Sequence, residues 1–346
     1  MSRLKVGLLF GGRSEEHEVS IMSARAIYSA ADSGKYQIKP YAISKNGYWL
    51  DQKSSMEILE DKKIRCVDAD ESGTIAMSLE PFLKENLDLV FPVLHGPYGE
   101  DGKMQGFLEM LDIPYVGAGV LSSAAGMDKA VMKKLFSYSN IPQGNYTLLN
   151  KYGEDDKNKV IEKINNDIGW PCFIKPANMG SSIGISKVNK AEELNQALKK
   201  AYQHDYKVII EEYIKGREVE SSVLGNKKII ASLPGEIINS HEFYDYEAKY
   251  QDKTTELIIP AKLDRYLTED IKDKAIKSFK AIDGRGFARV DFFIRDKDNK
   301  IFVNEINTIP GFTQYSMYAK LWEVTGIKYN ILIDKLIELA LEWQSI

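Results

Sequence analysis

Short apolar runs alternate with helically spaced apolar positions over the first third of the chain. Residues 6–10 (Val-Gly-Leu-Leu-Phe) read as a buried strand that ends at Gly11-Gly12. Across residues 15–31, Val19, Met22, Ala26 and Ile27 recur at the spacing of one helix face. Residues 38–43 predict a second strand, and Pro40 assigns it to the start or the edge of a sheet. Residues 87–94 (Leu-Asp-Leu-Val-Phe-Pro-Val-Leu) predict another buried strand, followed by His95-Gly96-Pro97-Tyr98-Gly99. Strand and helix in alternation argue for a parallel α/β domain. Sites in such domains lie beyond the C-terminal ends of the strands, where Gly11-Gly12 and His95-Gly96 both fall.

The pattern then changes. A helix is predicted over 127–138 with Asp128 near its start, and a polar surface turn over 150–158. Residues 171–176 predict a strand, 177–184 a loop of small residues, and 183–188 a returning hairpin strand. A strand over 208–212 runs into Glu211-Glu212-Tyr213-Ile214. Further strands are predicted at 218–224, 228–232, 288–294 and 301–306. Leu332, Leu336, Leu339 and Trp343 are spaced for a packed C-terminal helix. Residues 237–256 are long, polar and aromatic with no clear period, the mark of a lid or a binding loop.

Composition narrows the class. A chain of 346 residues implies two or three domains. Its 44% hydrophobic and 28% charged residues are those of a soluble globular protein. A net charge of −4 offers no electrostatic argument for nucleic acid or an anionic membrane surface. No apolar run reaches bilayer length, and the first residues show no cleavable signal pattern. Cys66 and Cys172 are too few for a disulfide framework, which points to a reducing cytoplasm. The commoner role for either is a small buried hydrophobe.

Three segments carry candidate chemistry. Arg289-Val290-Asp291-Phe292-Phe293 and Asn304-Glu305-Ile306-Asn307 read as neighbouring strands. Asp291, Glu305 and Asn307 supply oxygen donors suited to Mg²⁺, and such sites are completed by substrate phosphates. Glu305 and Asn307 are two apart, so on a strand they share a face. An isolated E-x-N is more often strand-end polarity, but carboxylates amid Ile301, Phe302 and Val303 need a partner. Second, Lys175 followed by Ala177-Asn178-Met179-Gly180-Ser181-Ser182 suits phosphate binding by backbone N–H groups and an ammonium. It is not a Walker loop, and a glycine-rich hairpin turn is the plain alternative. Third, Gly11-Gly12-Arg13-Ser14 lacks the G-x-G-x-x-G spacing of a dinucleotide fold. Glu16, His17 and Glu18 follow; a carboxylate here pairs with a substrate ammonium or merely complements a helix dipole.

Together these strings resemble the ATP-grasp ligases. The sets Gly11-Gly12-Arg13-Ser14-Glu15-Glu16-His17-Glu18-Val19-Ser20, His95-Gly96-Pro97-Tyr98-Gly99-Glu100-Asp101-Gly102 and Met127-Asp128-Lys129 resemble the D-alanine–D-alanine ligase family in particular. So do Tyr244-Asp245-Tyr246-Glu247-Ala248-Lys249-Tyr250 and Gly311-Phe312-Thr313-Gln314-Tyr315-Ser316-Met317-Tyr318. The resemblance runs from about residue 6 to the C-terminus. It implies a three-domain α/β ATP-grasp architecture: an N-terminal parallel α/β domain over 1–126, a central α+β domain over 127–214, and a C-terminal α+β domain over 215–346. The last would carry the lid, 237–256, and the metal site.

The resemblance implies ATP-dependent ligation of two D-alanines through a D-alanyl phosphate, giving ADP and phosphate, for peptidoglycan precursors. Lys129, Lys175 and Lys249 would hold the ATP phosphates under Ser181 and Ser182. Glu211 and the backbone around Tyr213 and Ile214 would read the adenine and Glu218 the ribose, with Glu212 also in the ATP-binding set. Asp291, Glu305 and Asn307 would bind two Mg²⁺ or Mn²⁺. Glu18 near His95 would take the first ammonium, linked by a hydrogen-bonded set to Ser181 and Tyr250. Arg289 and the Gly311 N–H would face the anionic intermediate, and Ser316 with the Met317 N–H the second carboxylate. Relatives commonly have Leu where this chain has Met317, and a backbone donor is indifferent to that change. D-Serine or D-lactate as second substrate is the near alternative, and a non-catalytic nucleotide-binding regulator the distant one. The family suggests a cytoplasmic homodimer.

Overall fold

The computed structural model describes residues 3–61, 63, 66, 67, 69, 72–153, 156–238 and 256–344. Strands β1 (Leu4–Gly11), β2 (Tyr36–Ile43) and β3 (Leu89–Pro92) pair in parallel in the order β2-β1-β3. The Pro40 strand is at an edge, as its missing N–H requires. Helix His17–Ala30 follows β1, starting two residues later than its apolar spacing predicts. The turn between them depends on glycine: at Gly11 φ is +87°, and a Cβ would stand 2.4 Å from the Ile43 carbonyl oxygen.

The two faces of this sheet enter different cores. Leu9, Tyr41, Ile43 and Val90 pack with Phe82, Leu94, Leu108 and Tyr115. Val6, Leu8 and Phe10 pack with Ile21, Ala24 and Ile27. The same cluster takes in Phe312, Tyr318, Trp322, Leu332, Ile333, Leu336 and Ile337 from the far end of the chain. Helices Met317–Thr325 and Tyr329–Gln344 therefore share the core of the N-terminal sheet, so the stretch 215–346 is divided between two cores. Asp334 fixes the junction, accepting from the Tyr36 hydroxyl at 2.9 Å and from Lys35 Nζ at 2.6 Å. Trp343, predicted as packed, is 45% exposed and lies under the Arg285 guanidinium, 4.5 Å from its ring centre.

The middle body is antiparallel. Strands β4 (Tyr146–Asn150), β5 (Cys172–Pro176), β6 (Ser186–Val188) and β7 (Lys207–Glu212) pair in the order β4-β7-β5-β6. Strand β6 is shorter than the predicted 183–188 because Ser181, Ser182 and Gly184 all have positive φ and keep the chain turning. Cys172 is buried in this core, whereas Cys66 is exposed.

A third sheet holds β8 (Gly216–Leu224), β9 (Ile230–Ala231), β10 (Gly235–Ile238), β11 (Glu256–Ile258), β12 (Phe287–Arg295) and β13 (Ile301–Asn307). Its order is β11-β10-β8-β12-β13, with β9 on β8, and helix Arg265–Ala281 covers one face through Ile271, Ala275 and Phe279. The ends of the segment expected as a loop are strand: Ile237 pairs with Leu257 and Ile238 with Glu256. The remainder, 239–255, lies outside the described residues.

One bulge decides which way the chemistry faces. Asp291 pairs with Glu305 but Phe292 pairs with Val303, so Asn304 is an extra residue. Before it the odd-numbered Ile301 and Val303 enter the core; after it the even-numbered Ile306 does. Without the bulge Glu305 and Asn307 would continue the buried face.

Candidate active site

A cavity of about 530 Å³ lies between the middle and third sheets. Phe173, Ile185, Tyr213, Ile214, Phe293 and Val303 line it with apolar surface, and the Phe173 and Tyr213 rings meet edge to face at 5.9 Å. Lys129, Lys175, Ser181 and Ser182 line another part. Lys129 follows Asp128, whose carboxylate caps helix Lys129–Tyr138 at the Ala130 and Val131 N–H groups. That cap aims the Lys129 ammonium at the Met179 carbonyl, 2.8 Å away, and at Glu305, 3.3 Å away. Ser181 is buried, and its hydroxyl has no hydrogen-bond partner among the described residues. A buried hydroxyl on a cavity wall, without a partner among the described residues, can donate to a bound ligand.

Lys175 pairs with Glu211 at 2.8 Å. The other Glu211 oxygen is 2.5 Å from the Lys133 ammonium. Burial alone would raise the Glu211 carboxyl, but Lys133 and Lys175 hold it down at about 2. Burial likewise opposes the Lys175 charge, and Glu211 outweighs it. Glu211 was expected to read a purine, yet both its oxygens face ammonium groups. Glu212 accepts from the Asn145 N–H at 3.1 Å, and Glu218 is on the cavity wall beside Gly216 and Arg217.

Register sets the acidic row. Glu220 on β8, Asp291 on β12 and Glu305 on β13 stand opposite one another across three strands. Three adjacent carboxylates repel unless cations intervene. Arg289 donates to both Asp291 oxygens, at 2.7 and 2.8 Å, and lies 3.0 Å from Glu220. Burial works against the guanidinium charge, but Asp291 and Glu220 outweigh it. Asn307 is opposite Arg289 and shares the face of Glu305. Among the described residues no three His, Cys, Asp or Glu side chains form a metal cage. The donor set of two carboxylates and an amide is oxygen-only and fits Mg²⁺ or Mn²⁺, with arginine and lysine now compensating its charge.

Glu220 and Arg289 also border a second cavity, of about 770 Å³, lined by Glu16, His95, Glu100, Gly311, Ser316 and Met317. Glu16, not Glu18, reaches this space. Glu16 is the cap residue before helix His17–Ala30, whereas Glu18 is in its first turn and points elsewhere. Its carboxylate instead lies 3.2 Å from Lys45 and accepts from Cys66 at 3.0 Å. His95 joins the N-terminal body to the turn at 309–312: Nδ1 donates to the Ile309 carbonyl at 2.8 Å, so Nε2 accepts from Ser23 at 3.0 Å. Burial keeps its ring below the usual histidine range, against the pull of Glu16. Glu100 accepts from the Gly96 and Ile309 N–H groups at 2.6 and 3.0 Å. Burial, reinforced by Glu16, pushes its carboxyl up to about 8. Ser316 precedes helix Met317–Thr325, and its hydroxyl ties back to Thr313, leaving the Met317 N–H at a helix start beside Gly311.

The structure thus brings Lys129, Lys175, Ser181, Ser182, Glu211, Glu212, Tyr213, Ile214, Glu218, Asp291 and Glu305 to the first cavity. It brings His95, Arg289, Asn307, Gly311, Ser316 and Met317 to the second. Lys249 and Tyr250 lie outside the described residues. Sequence reading named Glu16 beside Glu18 without choosing it, and gave Glu100, Glu220 and Lys133 no role. The alternation Glu218-x-Glu220 was a signal for one, and Lys133, four residues after Lys129 on a helix, for another.

A cavity of lysines, carboxylates and small-residue loop between two antiparallel sheets is the ATP-grasp arrangement. Residues 5–118 match the family described as D-ala D-ala ligase N-terminus, and residues 135–338 that described as D-ala D-ala ligase C-terminus. The D-alanine–D-alanine ligase of Halothermothrix orenii is 58% identical over 343 residues, 99% of each chain. That of Caldicellulosiruptor bescii is 48% identical over 351 residues, 99% of this chain and 96% of the other. The solved D-alanine–D-alanine ligase from Coxiella burnetii superposes with a TM-score of 0.84 at 35% identity, covering 100% of this chain and 96% of that one. The VanG D-Ala:D-Ser ligase from Enterococcus faecalis gives 0.83 at 35% identity, covering 98% and 100%. The chain belongs to the D-alanine–D-alanine ligase family.

Proposed function

We infer that the chain joins two D-alanine molecules at the expense of ATP, giving D-alanyl-D-alanine, ADP and phosphate for peptidoglycan precursors. The observation that carries this is the shared wall: Arg289, Asp291 and Glu220 separate a nucleotide-sized cavity from one with an ammonium partner and anion donors. The aromatic and aliphatic end of the first cavity suits a purine, with Glu218 at the ribose. Lys129, Lys175 and the Ser181–Ser182 turn suit the phosphates. Asp291, Glu305 and Asn307 would hold two Mg²⁺ or Mn²⁺ ions, which supply charge neutralisation for the phosphates.

A carboxylate carbon has no good leaving group, so it must be activated. One oxygen of the first D-alanine attacks the γ-phosphorus; the bond to ADP breaks and an acyl phosphate forms. Glu16 holds the ammonium of that D-alanine, and Arg289 and the Gly311 N–H face its carboxyl end. The second D-alanine, its carboxylate at Ser316 and the Met317 N–H, attacks the acyl carbon as a free amine. The carbon–oxygen bond to phosphate breaks, and the amine proton is lost. Acyl phosphates hydrolyse, so water must be excluded from the intermediate. Among the described residues no helix is long and apolar enough to cross a membrane. A homodimer through the N-terminal body completes the reading.

The test offers D-alanine, D-serine and D-lactate in turn and measures phosphate release. The expected result is fastest release with D-alanine alone. Faster release only when D-serine is added would assign the second site to D-serine, and ATP hydrolysis indifferent to all three would reject the ligase reading.

A further inference from the structure

Lys133 takes no part in the chemistry above, yet it is 1% exposed and ionically paired at the base of the nucleotide-side cavity. Its ammonium lies 2.5 Å from Glu211 Oε1, while Lys175 lies 2.8 Å from Oε2. The Tyr146 ring sits 5.6 Å from the ammonium on another side. Lys133 comes one turn after Lys129 on the same helix, so both side chains leave the same face. Lys129 and Lys175 line the cavity; Lys133 does not.

The arrangement is two ammonium groups about one carboxylate, with a formal surplus of one positive charge. Without Lys133, Glu211 would cancel Lys175 outright, and both its oxygens would be free to hold that lysine back. We propose that Lys133 is a positioning residue for the nucleotide phosphates: by occupying one oxygen of Glu211 it leaves Lys175 a net cation facing the cavity. Lys133 does this without touching the nucleotide. The proposal rests on reading this cavity as the ATP site. The competing role is purely structural, a buried ion pair whose loss loosens the middle body.

The experiment measures binding of a non-hydrolysable ATP analogue and of adenosine, with thermal midpoints, for wild type, Lys133→Met, Lys133→Arg and Lys133→Met/Glu211→Gln. Lys133→Met should weaken analogue binding on the order of tenfold or more, because a full charge near the phosphates is cancelled at short range. Adenosine, which has no phosphate, should change by less than about twofold. Lys133→Arg keeps the charge and should restore analogue binding. The double variant frees Lys175 from a charged partner and should recover analogue binding above the single variant. Where Lys133→Met does not fold, Lys133→Gln serves, since it keeps a hydrogen-bond donor and removes the charge. Equal loss for adenosine and the analogue, or a double variant no better than the single, would overturn the proposal in favour of the structural role. Wild type that binds neither compound would instead overturn the ATP-site reading itself.

Discussion

Glu16 and Glu18 are separated by one residue, yet they face different surroundings. Glu16 lines the cavity with His95, Arg289 and Ser316, whereas Glu18 pairs at the surface with Lys45 and Cys66. A charge-assisted hydrogen bond to an ammonium is worth roughly 1.5–3 kcal/mol. Glu16→Gln is therefore expected to raise the KM for the first D-alanine about tenfold to a hundredfold, with ATP affinity little changed. Glu18→Gln breaks only an exposed pair, worth about 0–1 kcal/mol, and should behave like wild type. Steady-state kinetics with both variants check this; the reverse order would return the ammonium to Glu18. The sequence showed Glu-His-Glu at a helix start but not the helical phase that picks between the acids. Lys175 was legible from a strand end before a small-residue loop, whereas Lys129 came from the family resemblance alone.

At the scale of elements, the decisive feature is the extra residue Asn304. Strand positions 301, 303 and 306 enter the core, and this change from odd to even is the only trace of the bulge in the sequence. A strict period of two would have placed Glu305 and Asn307 inside. Deleting Asn304 removes the bulge but leaves Glu305 directly after Val303, so strict alternation keeps Ile306 inside and Glu305 and Asn307 on the outer face. The deletion is therefore expected to leave the fold intact and to keep measurable ligation, checked by thermal melting and phosphate release. An unfolded or wholly inactive deletion variant would show that the extra residue does more than decide which face Glu305 takes. Strands β10 and β11 teach the same lesson differently. Three paired residues at the edge of a long polar segment lack the length for a readable period, so the sequence read them as loop.

At the scale of the molecule, the first and last parts of the chain form one body. The apolar face of the helix Tyr329–Gln344 was legible from Leu332, Leu336 and Leu339, but nothing local names its partner. That partner is the sheet Val6, Leu8 and Phe10 belong to, some three hundred residues away, with the Tyr36–Asp334 bond at 2.9 Å between them. Asp334→Ala leaves the buried Tyr36 hydroxyl without its acceptor and should cost about 1–3 kcal/mol of stability. Denaturant titration should show the N-terminal sheet and the C-terminal helix lost in one transition; two separate transitions would contradict the shared core. The same joining sets the turn at 309–312, held by His95, Ser23 and Glu100, against the carboxylate row of the third sheet. Activation of a carboxylate by phosphoryl transfer at this junction is checked with D-alanine labelled with ¹⁸O in its carboxylate. If an acyl phosphate forms and the amine displaces phosphate, each dipeptide made should deliver one labelled oxygen to the released phosphate. Dipeptide formed with unlabelled phosphate would contradict the account.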